Sequence, residues 1–342
     1  MCPTDSFVML SKETLPLLRD GKNLLAFSGG VDSTALFFML LREKIPFDIA
    51  IVNYQTREQS SEEVAYAKTL ADKFGKECFL LTTRLSEENF EARARHARYG
   101  FFETVIKEHG YTSLLTAHQL DDRLEWLLMQ LSKGAGLYEL LGMQSIEQRD
   151  GYRLVRPLLE ASKAELKTFL HDNSILYFED ESNADEKYKR NLFRHNIATP
   201  LLEKYSSGIK KSFGYLSEDL DEWLEQEIAV TTIRELHTFK RPLSRRSALI
   251  KIDRILKEHG FLMRQGDKEA LKREDEHVVG RRFLVSFHRE YCFVAPYTAG
   301  SMPKKFKEQC RLLGVPKKLR PYLFKNEEAF EAVAALLKSS QT

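Results

Sequence analysis

The chain has 342 residues, a length that predicts two or three domains. Its composition, 43% apolar and 30% charged, is typical of a water-soluble protein with a buried core. No run of about 18 uncharged apolar residues predicts a membrane span, and the charged N-terminal segment does not resemble a signal peptide.

Four cysteines are scattered along the chain without a C-x-x-C pair: Cys2, Cys78, Cys292 and Cys310. This spacing argues against a disulfide framework and against a zinc knuckle. We therefore expect the protein to work in a reducing environment with a cytoplasmic location.

Charge is unevenly distributed along the chain. Residues 1–230 contain 28 Lys and Arg against 37 Asp and Glu, a balance of −9. Residues 231–342 contain 24 against 13, a balance of +11. The basic C-terminal part indicates either that it binds a polyanion or that its surface is simply solvated.

Short apolar runs alternate with helical patterns in the first half of the chain. The runs predict four strands, at Asn23–Phe27, Phe47–Asn53, Cys78–Thr83 and Ser113–Ala117. The segments between them predict helices at Ser33–Arg42, from about Ser60 to Phe74, and at Glu87–His109. This alternation predicts an α/β fold, in which helices cover both faces of a parallel sheet.

The second half begins with a short strand near Tyr152–Val155 and a helix at Ser162–Asn173. The periodicity is then helical from about Ser206 to Leu271, before strand-like runs at Phe283–Phe287 and Tyr291–Ala295. These changes predict three domains: a catalytic domain (1–205), a helical domain (206–278) and a small basic α+β domain (279–342).

Six residues between the first strand and its helix are candidates for phosphate binding: Ser28, Gly29, Gly30, Val31, Asp32 and Ser33. Glycines allow a tight turn close to a ligand, and a helix N-terminus offers free N–H groups to a phosphate. The serines add hydroxyl donors, and the Asp32 carboxylate is a candidate ligand for Mg²⁺. The G-x-x-x-x-G-K-[ST] P-loop is absent from the sequence.

These six residues resemble the PP-loop, S-G-G-x-D-S, of enzymes that split ATP into AMP and pyrophosphate. The resemblance implies an adenine nucleotide α-hydrolase-like fold, with ATP and Mg²⁺ as ligands. In that superfamily the loop cradles the pyrophosphate while a substrate oxygen attacks the α-phosphate. The loop alone does not identify the substrate.

Four further segments are similar to one branch of that superfamily, the tRNA(Ile)-lysidine synthetases. Residues 52–63 resemble V-N-H-x-L-R…S…E, with Tyr54 and Thr56 in place of His and Leu. Residues 91–99 resemble the E-x-x-A-R-x-x-R-Y helix.

The other two segments lie further along the chain. Residues 115–125 resemble T-A-H-H-x-D-D-Q-x-E, with Gln119 and Arg123 as departures. Residues 180–194 resemble D-P-S-N…R-N-x-x-R, with Glu181 in place of Pro. The combination covers roughly residues 20–200 and is far more specific than any single segment.

His118, Asp122 and Glu125 follow the fourth predicted strand, at the edge where ligands bind parallel sheets. Asp122 and Glu125 share one face of a helix and can pair with the ammonium groups of a bound lysine. The alternative is that both solvate a surface helix. His118 is a candidate catalytic residue, or else a structural histidine at the sheet edge.

Arginines complete the candidate site, because a guanidinium group binds phosphate bidentately. We expect Arg98 and Arg190 to act in catalysis and Arg194 to bind tRNA, whereas Arg93 and Arg95 are assigned to a solvated helix face.

A basic segment near the C-terminus, residues 301–320, contains seven Lys and Arg against one acid. It resembles the terminal domain of the lysidine synthetases, which has an I-P-x-x-x-R-x-x-x-P stretch. We expect Lys317, Lys318 and Arg320 to contact tRNA phosphates, with a merely solvated loop as the alternative.

The resemblance implies that L-lysine is ligated to ring position 2 of the wobble cytidine of tRNA(Ile). The implied intermediate is an adenylated tRNA, and AMP and pyrophosphate are released. The implied partners are a tRNA(Ile) with a CAU anticodon and L-lysine. We expect no association with a membrane, and a homodimer is one alternative for the assembly.

Three rival functions remain open at this stage. A PP-loop tRNA thiolase needs a sulfur relay, which the missing C-x-x-C pair disfavours. An amidotransferase-type synthetase lacks a visible glutaminase domain and leaves the basic tail unexplained. A nucleotide-dependent RNA-binding protein without ligase activity would bind ATP and release no AMP.

Overall fold

The computed structural model describes residues 10–55, 59–84, 90–179, 189–225, 229–242, 244–288 and 290–339. The chain forms two compact units, residues 1–220 and 221–342. Each unit has its own sheet and its own hydrophobic clusters. Within the described part, no helix is both long enough and apolar enough to cross a membrane.

The first unit is built on a six-stranded sheet with the strand order β3-β2-β1-β4-β6-β5. Its strands are β1 (Asn23–Ala26), β2 (Phe47–Asn53), β3 (Cys78–Thr82), β4 (Ser113–Leu115), β5 (Ile146–Arg149) and β6 (Tyr152–Val155). Its helices are α1 (Leu15–Asp20), α2 (Val31–Arg42), α3 (Gln59–Phe74), α4 (Phe90–His109), α5 (Leu120–Leu131), α6 (Leu137–Leu140), α7 (Lys163–Asp172) and α8 (Lys189–Phe193). A π-helical turn, Arg194–Ala198, then leads into α9 (Thr199–Glu225).

Strand β1 lies at the centre of this sheet, parallel to β2 on one side and to β4 on the other. Successive residues of a strand point to opposite faces. Leu25 accordingly packs in one cluster with Leu36 of α2, and Leu24 packs in another with Phe102 of α4. The predicted parallel sheet with helices on both faces is confirmed, with β5 as an antiparallel edge strand.

The second unit contains an antiparallel sheet with the order β7-β8-β11-β10-β9. Its strands are β7 (Thr231–Ile233), β8 (Leu236–Lys240), β9 (Glu276–Val279), β10 (Phe283–His288) and β11 (Tyr291–Pro296). Its helices are α10 (Arg245–Glu258), α11 (Gln265–Arg273), α12 (Lys304–Leu312), α13 (Arg320–Lys325) and α14 (Glu327–Ser339). One sheet face packs on α10 through Val285 and Ile252, and the other packs on α14 through Leu284 and Val333.

The domain boundaries predicted at residues 205 and 278 differ from this division. Within α9, two helical stretches meet at a kink at Tyr205 (φ −131°, ψ 19°), close to the predicted boundary at residue 205, whereas the compact units divide at residue 220. The second sheet joins strands from both sides of residue 278, and β7 and β8 lie where a helical domain was expected. Strand β8 is stabilised by pairing with β11, about fifty residues away in sequence, so local periodicity does not reveal it.

The charge asymmetry persists when the chain is divided at residue 220. Residues 1–220 contain 28 Lys and Arg against 33 Asp and Glu, a balance of −5. Residues 221–342 contain 24 against 17, a balance of +7. The second unit is therefore the basic one, with a net charge of +7 rather than the +11 of residues 231–342.

Candidate functional site

The PP-loop lies between β1 and α2, and its backbone requires glycine at one position. Gly29 has φ +79°, in the left-handed region that other residues avoid. A Cβ atom at Gly29 would also lie 3.3 Å from the Phe178 ring. The Phe178 backbone N–H donates to the Gly29 carbonyl at 2.9 Å, which holds the loop against the chain that follows α7.

Two serines fix the shape of the loop. The Ser33 hydroxyl accepts from the Ser28 backbone N–H at 3.2 Å and lies 3.1 Å from the Ser28 hydroxyl. Helix α2 starts at Val31, and its N-cap residue, Gly30, has no side chain to cap the first turn. The N–H groups of that turn are therefore left for a ligand, as phosphate binding requires.

Asp32 lies in the first turn of α2 and is the one carboxyl of the loop, with a strongly raised pKa. Burial, together with the nearby charge of Asp122, raises its pKa to about 7, against the opposing influence of Lys163. Its Oδ1 atom is buried and has no hydrogen-bond partner among the described residues. Such an oxygen is a ready ligand for a cation.

A second loop follows β4, the strand next to β1, so the two loops share one edge of the sheet. Here His118 Nδ1 lies 3.0 Å from the Thr116 hydroxyl. Burial lowers the pKa of His118 to about 4, with Asp122 acting in the opposite direction and Arg156 and Arg190 adding to the decrease. The imidazole is therefore neutral at physiological pH.

Helix α5 begins directly after this loop with a capping box. The Gln119 side chain accepts from the Asp121 backbone N–H, and Asp122 Oδ2 accepts from the Gln119 backbone N–H at 3.1 Å. Asp121 Oδ2 accepts from the backbone N–H of Lys163, at the start of α7, at 2.9 Å. Gln119, a departure from the resembled pattern, thus has a structural role as the helix cap.

Asp122 and Glu125 of α5 lie against two arginines, Arg190 of α8 and Arg194 of the π-helical turn. We call these four residues the arginine–carboxylate cluster (Asp122, Glu125, Arg190, Arg194). Arg190 donates through Nε to Glu125 Oε2 at 2.8 Å and through its NH2 nitrogen to Asp122 Oδ1. Arg194 donates through Nε to Glu125 Oε1 at 2.5 Å. The Glu125 side chain is 1% exposed, whereas that of Arg190 is 47% exposed.

This pairing differs from the predicted use of these four side chains. Asp122 and Glu125 were expected to face the ammonium groups of lysine, but in this structure their partners are guanidinium groups. Arg194 was assigned to tRNA, and it lies instead against Glu125. Sequence spacing could not show this, because the acids and the arginines are more than sixty residues apart.

The other predicted arginines lie on α4. Arg98 is exposed, and its charge opposes the rise that burial causes in the pKa of Tyr54. Arg95, assigned to a solvated face, is also exposed but lies near enough to His118 to lower its pKa.

The three residues predicted to bind tRNA in the second unit differ in their exposure and in their hydrogen bonds. Lys317 is exposed. The Lys318 ammonium donates to the Glu276 carbonyl at 3.1 Å. Arg320 donates twice to the Val315 carbonyl, at 2.9 and 3.1 Å, so it stabilises the turn before α13.

Two cationic residues of the site were missed by the sequence analysis. Lys163 influences Asp32 through its charge, and Arg156, which is buried, donates to Glu147 at 2.9 Å and affects His118. A signal for Lys163 existed: it follows Ser162, whose Ser…Glu165 spacing is a capping box, and a lysine in a first helical turn is unfavourable without a nearby acid.

Parts of two predicted motifs, Thr56-Arg57 and Asp180 to Asn183, lie outside the described residues. Among the described residues, no group of three or more His, Cys, Asp or Glu side chains could hold a metal ion by itself.

Comparison with known proteins gives concordant matches. A protein-family model described as a PP-loop domain matches residues 7–201. The tRNA(Ile)-lysidine synthase of Helicobacter pylori is 45% identical over 316 residues, covering 92% of this chain and 92% of the relative. That of Campylobacter jejuni is 42% identical over 321 residues, covering 94% and 98%.

The chain belongs to the tRNA(Ile)-lysidine synthase family.

A third family member, from Wolinella succinogenes, is 46% identical over 310 residues, covering 90% of this chain and 94% of the relative. Among solved structures, the U34-tRNA thiolase NcsA from Methanococcus maripaludis is similar, with a TM-score of 0.50. It is 17% identical and covers 61% of this chain and 75% of that chain, a likeness that shows the fold alone. The predicted family, and with it the prediction of an ATP-using ligase that modifies tRNA, is confirmed.

Proposed function

We propose that the site joins L-lysine to C2 of the wobble cytidine in a tRNA(Ile) with a CAU anticodon. In the first step the O2 oxygen of the cytosine attacks the α-phosphorus of ATP, and pyrophosphate leaves. In the second step the lysine ε-amine attacks C2, the bond from C2 to the adenylated oxygen breaks, and AMP leaves. The family match supports this reaction, and the geometry supports the roles below.

One observation carries the assignment: the PP-loop and the arginine–carboxylate cluster share one sheet edge. Asp32 follows β1, Asp122 follows the adjacent parallel strand β4, and the charge of Asp122 raises the pKa of Asp32. A nucleotide on the loop would therefore present its α-phosphate beside the groups that receive the amino acid. Positioning and charge neutralisation are the main sources of catalysis in such transfers.

The residues present fit Mg²⁺ bound together with the nucleotide. Mg²⁺ in nucleotide sites is held by one or two carboxylates and by substrate phosphates. Asp32 offers one such carboxylate, with a buried oxygen that has no partner among the described residues. When bound, the ion would neutralise charge on the departing pyrophosphate.

We assign His118 the role of accepting a proton from the attacking amine. Its low pKa keeps the ring neutral, and with Nδ1 near Thr116, Nε2 is the nitrogen left for a substrate. His118→Gln should slow lysine transfer without slowing adenylation of the tRNA. Equal slowing of both steps in single-turnover assays would assign His118 a structural role.

The lysine site at Asp122 and Glu125 requires exchange of an ion pair. Glu125 is fully buried against Arg194, whereas Arg190 is nearly half exposed and bonds to both acids. We assign Arg190 as the group that an incoming ammonium displaces from Asp122, while Arg194 stays paired with Glu125. The freed Arg190 guanidinium can then bind a phosphate, which is the catalytic role that the sequence predicts for Arg190.

A thiolase activity is disfavoured by the state of the described cysteines. Burial raises the pKa of Cys78 and of Cys310, and it raises the pKa of Cys292 to about 12. The thiolate is the reactive form, so these thiols are poor nucleophiles. No two of them are disulfide-bonded.

AMP release from α-labelled ATP tests the proposal, measured with and without lysine and a tRNA(Ile) transcript. We expect catalytic AMP release only with both, and none from Asp32→Asn. Asp172→Asn, at an exposed carboxylate at the end of α7, serves as the matched control. ATP binding without AMP release under all conditions would favour an RNA-binding protein without ligase activity.

A further inference from the structure

A cleft of about 360 Å³ lies in the first unit, and neither the PP-loop nor the arginine–carboxylate cluster lines it. Leu120 and Leu159 are among its lining residues, and both are fully buried. Helix α5 contributes Arg123 to one side, and α9 contributes Lys210 and Lys211 to the other. The cleft therefore brings together three cationic groups, with Glu160 as its one carboxylate.

Arg123 is the unusual residue of this cleft. Its side chain is stacked 4.4 Å from the centre of the Phe213 ring, and one guanidinium nitrogen donates to the Ser217 hydroxyl at 2.8 Å. The residue is only 8% exposed, and its Nε atom is buried with no hydrogen-bond partner among the described residues. A buried cationic donor without an acceptor is costly, and a bound anion would satisfy it.

Gly214 lines the cleft from α9. Glycine in the interior of a helix is less favourable than alanine, so its presence calls for a reason. A Cβ atom at Gly214 would have no atom within 4 Å, so close packing is not the reason. Gly208 has equally open surroundings on the same helix and does not line the cleft.

We propose that this cleft binds a phosphate group of the tRNA backbone, an inference that rests on tRNA being the substrate. Guanidinium and ammonium groups are the usual partners of RNA phosphates, and the stacked Arg123 is held ready for such contact. Arg123 stands where the resembled pattern has Gln, so the contact depends on a residue in which this chain departs from that pattern.

A matched pair of substitutions tests the proposal while leaving every side chain of the cleft in place. Gly214→Glu puts a carboxylate in the cleft, whereas Gly208→Glu puts the same group on α9 outside it. We expect Gly214→Glu to weaken tRNA(Ile) binding by roughly ten-fold and to reduce the salt slope by about one unit for each phosphate that the cleft no longer neutralises. Gly208→Glu should match the unsubstituted protein, and both variants should keep its melting temperature and ATP affinity.

Two further measurements distinguish binding of a tRNA phosphate from binding of free inorganic phosphate. Arg123→Gln should lower tRNA affinity in the same direction, and inorganic phosphate at millimolar concentration should not shift the melting temperature through this cleft. A phosphate-induced shift that disappears only in Gly214→Glu, with unchanged tRNA affinity, would assign the cleft to free phosphate and overturn the proposal. Equal tRNA affinity and salt slope in Gly214→Glu and Gly208→Glu would also overturn it. The proposed ligase function has its own test, because it is contradicted if the unsubstituted protein makes no lysidine, whatever the cleft variants show.

Discussion

Arg194 and Glu125 form a two-point ion pair, with Nε 2.5 Å from Oε1 and the NH2 nitrogen 3.2 Å from Oε2. The pair links the start of the π-helical turn to α5, and the Glu125 side chain is almost completely buried. A buried carboxylate is tolerated only where its charge and its lone pairs are satisfied. The cluster is therefore a structural centre of the first unit as well as a candidate binding site.

Glu125→Ala should destabilise the first unit by about 3 kcal/mol, because it removes both hydrogen bonds between the buried Glu125 carboxylate and Arg194. Urea unfolding of the variant measures this decrease in stability. In the double variant Glu125→Ala, Arg194→Ala the decrease should be less than the sum of the two single decreases. Additive decreases would show that the two side chains are not coupled.

Asp122→Asn should raise the KM for lysine and leave adenylation of the tRNA nearly unchanged. An asparagine oxygen can still accept the Gln119 N–H bond that caps α5, so the helix start is preserved. The substitution removes the charge that would pair with the lysine ammonium and that pairs with Arg190 in this structure. Steady-state kinetics with varied lysine measures the effect, and an unchanged lysine KM would place the amino-acid site elsewhere.

Asp32→Asn should stabilise the nucleotide-free protein, and more at pH 8 than at pH 5. The folded-state pKa of Asp32 is raised to about 7 by burial first and by Asp122 second, so the folded form holds its proton more tightly than the unfolded chain. Stability is therefore lost as pH rises from the unfolded pKa, about 4, towards the folded value. Asparagine, which cannot ionise, removes that loss.

Thermal melting across that pH range measures the Asp32 effect. Asp172→Asn, at an exposed carboxylate, serves as the control and should change the melting temperature little. Mg²⁺ with a non-hydrolysable ATP analogue should raise the melting temperature of the unsubstituted protein more than that of Asp32→Asn. An equal gain in both would remove Asp32 from the cation site.

Lys317→Glu and Arg320→Ala should have different effects in the second unit. Arg320 bonds twice to the Val315 carbonyl, so its removal should lower the melting temperature. Lys317 is exposed, so Lys317→Glu should keep the fold and weaken tRNA binding with a smaller salt slope. Unchanged tRNA affinity in Lys317→Glu would make this basic loop a solvated surface.

Local patterns predicted most of the first unit. Strands β2 and β6 have the predicted bounds, because each is a short segment rich in apolar residues. The PP-loop was found from six consecutive residues whose function depends on a local backbone shape. The second unit was predicted less well, because β7, β8 and β9 are short and β8 pairs with the distant strand β11.

The candidate site shows the same limit at the level of side chains. The sequence named Asp122, Glu125, Arg190 and Arg194, yet it assigned them to separate ligands rather than to one another. Their partnership is a tertiary contact across more than sixty residues, as is the influence of Lys163 on Asp32. Such contacts leave no periodic signal in the chain.

The most direct test of the account is mass analysis of the anticodon fragment of tRNA(Ile) after incubation with the protein, ATP and lysine. The account predicts that the wobble cytidine gains the mass of one lysine less one water, that one AMP forms for each modified tRNA, and that Asp32→Asn gives neither. AMP formation with no lysine in the fragment, or with modification at another nucleotide, would contradict the account.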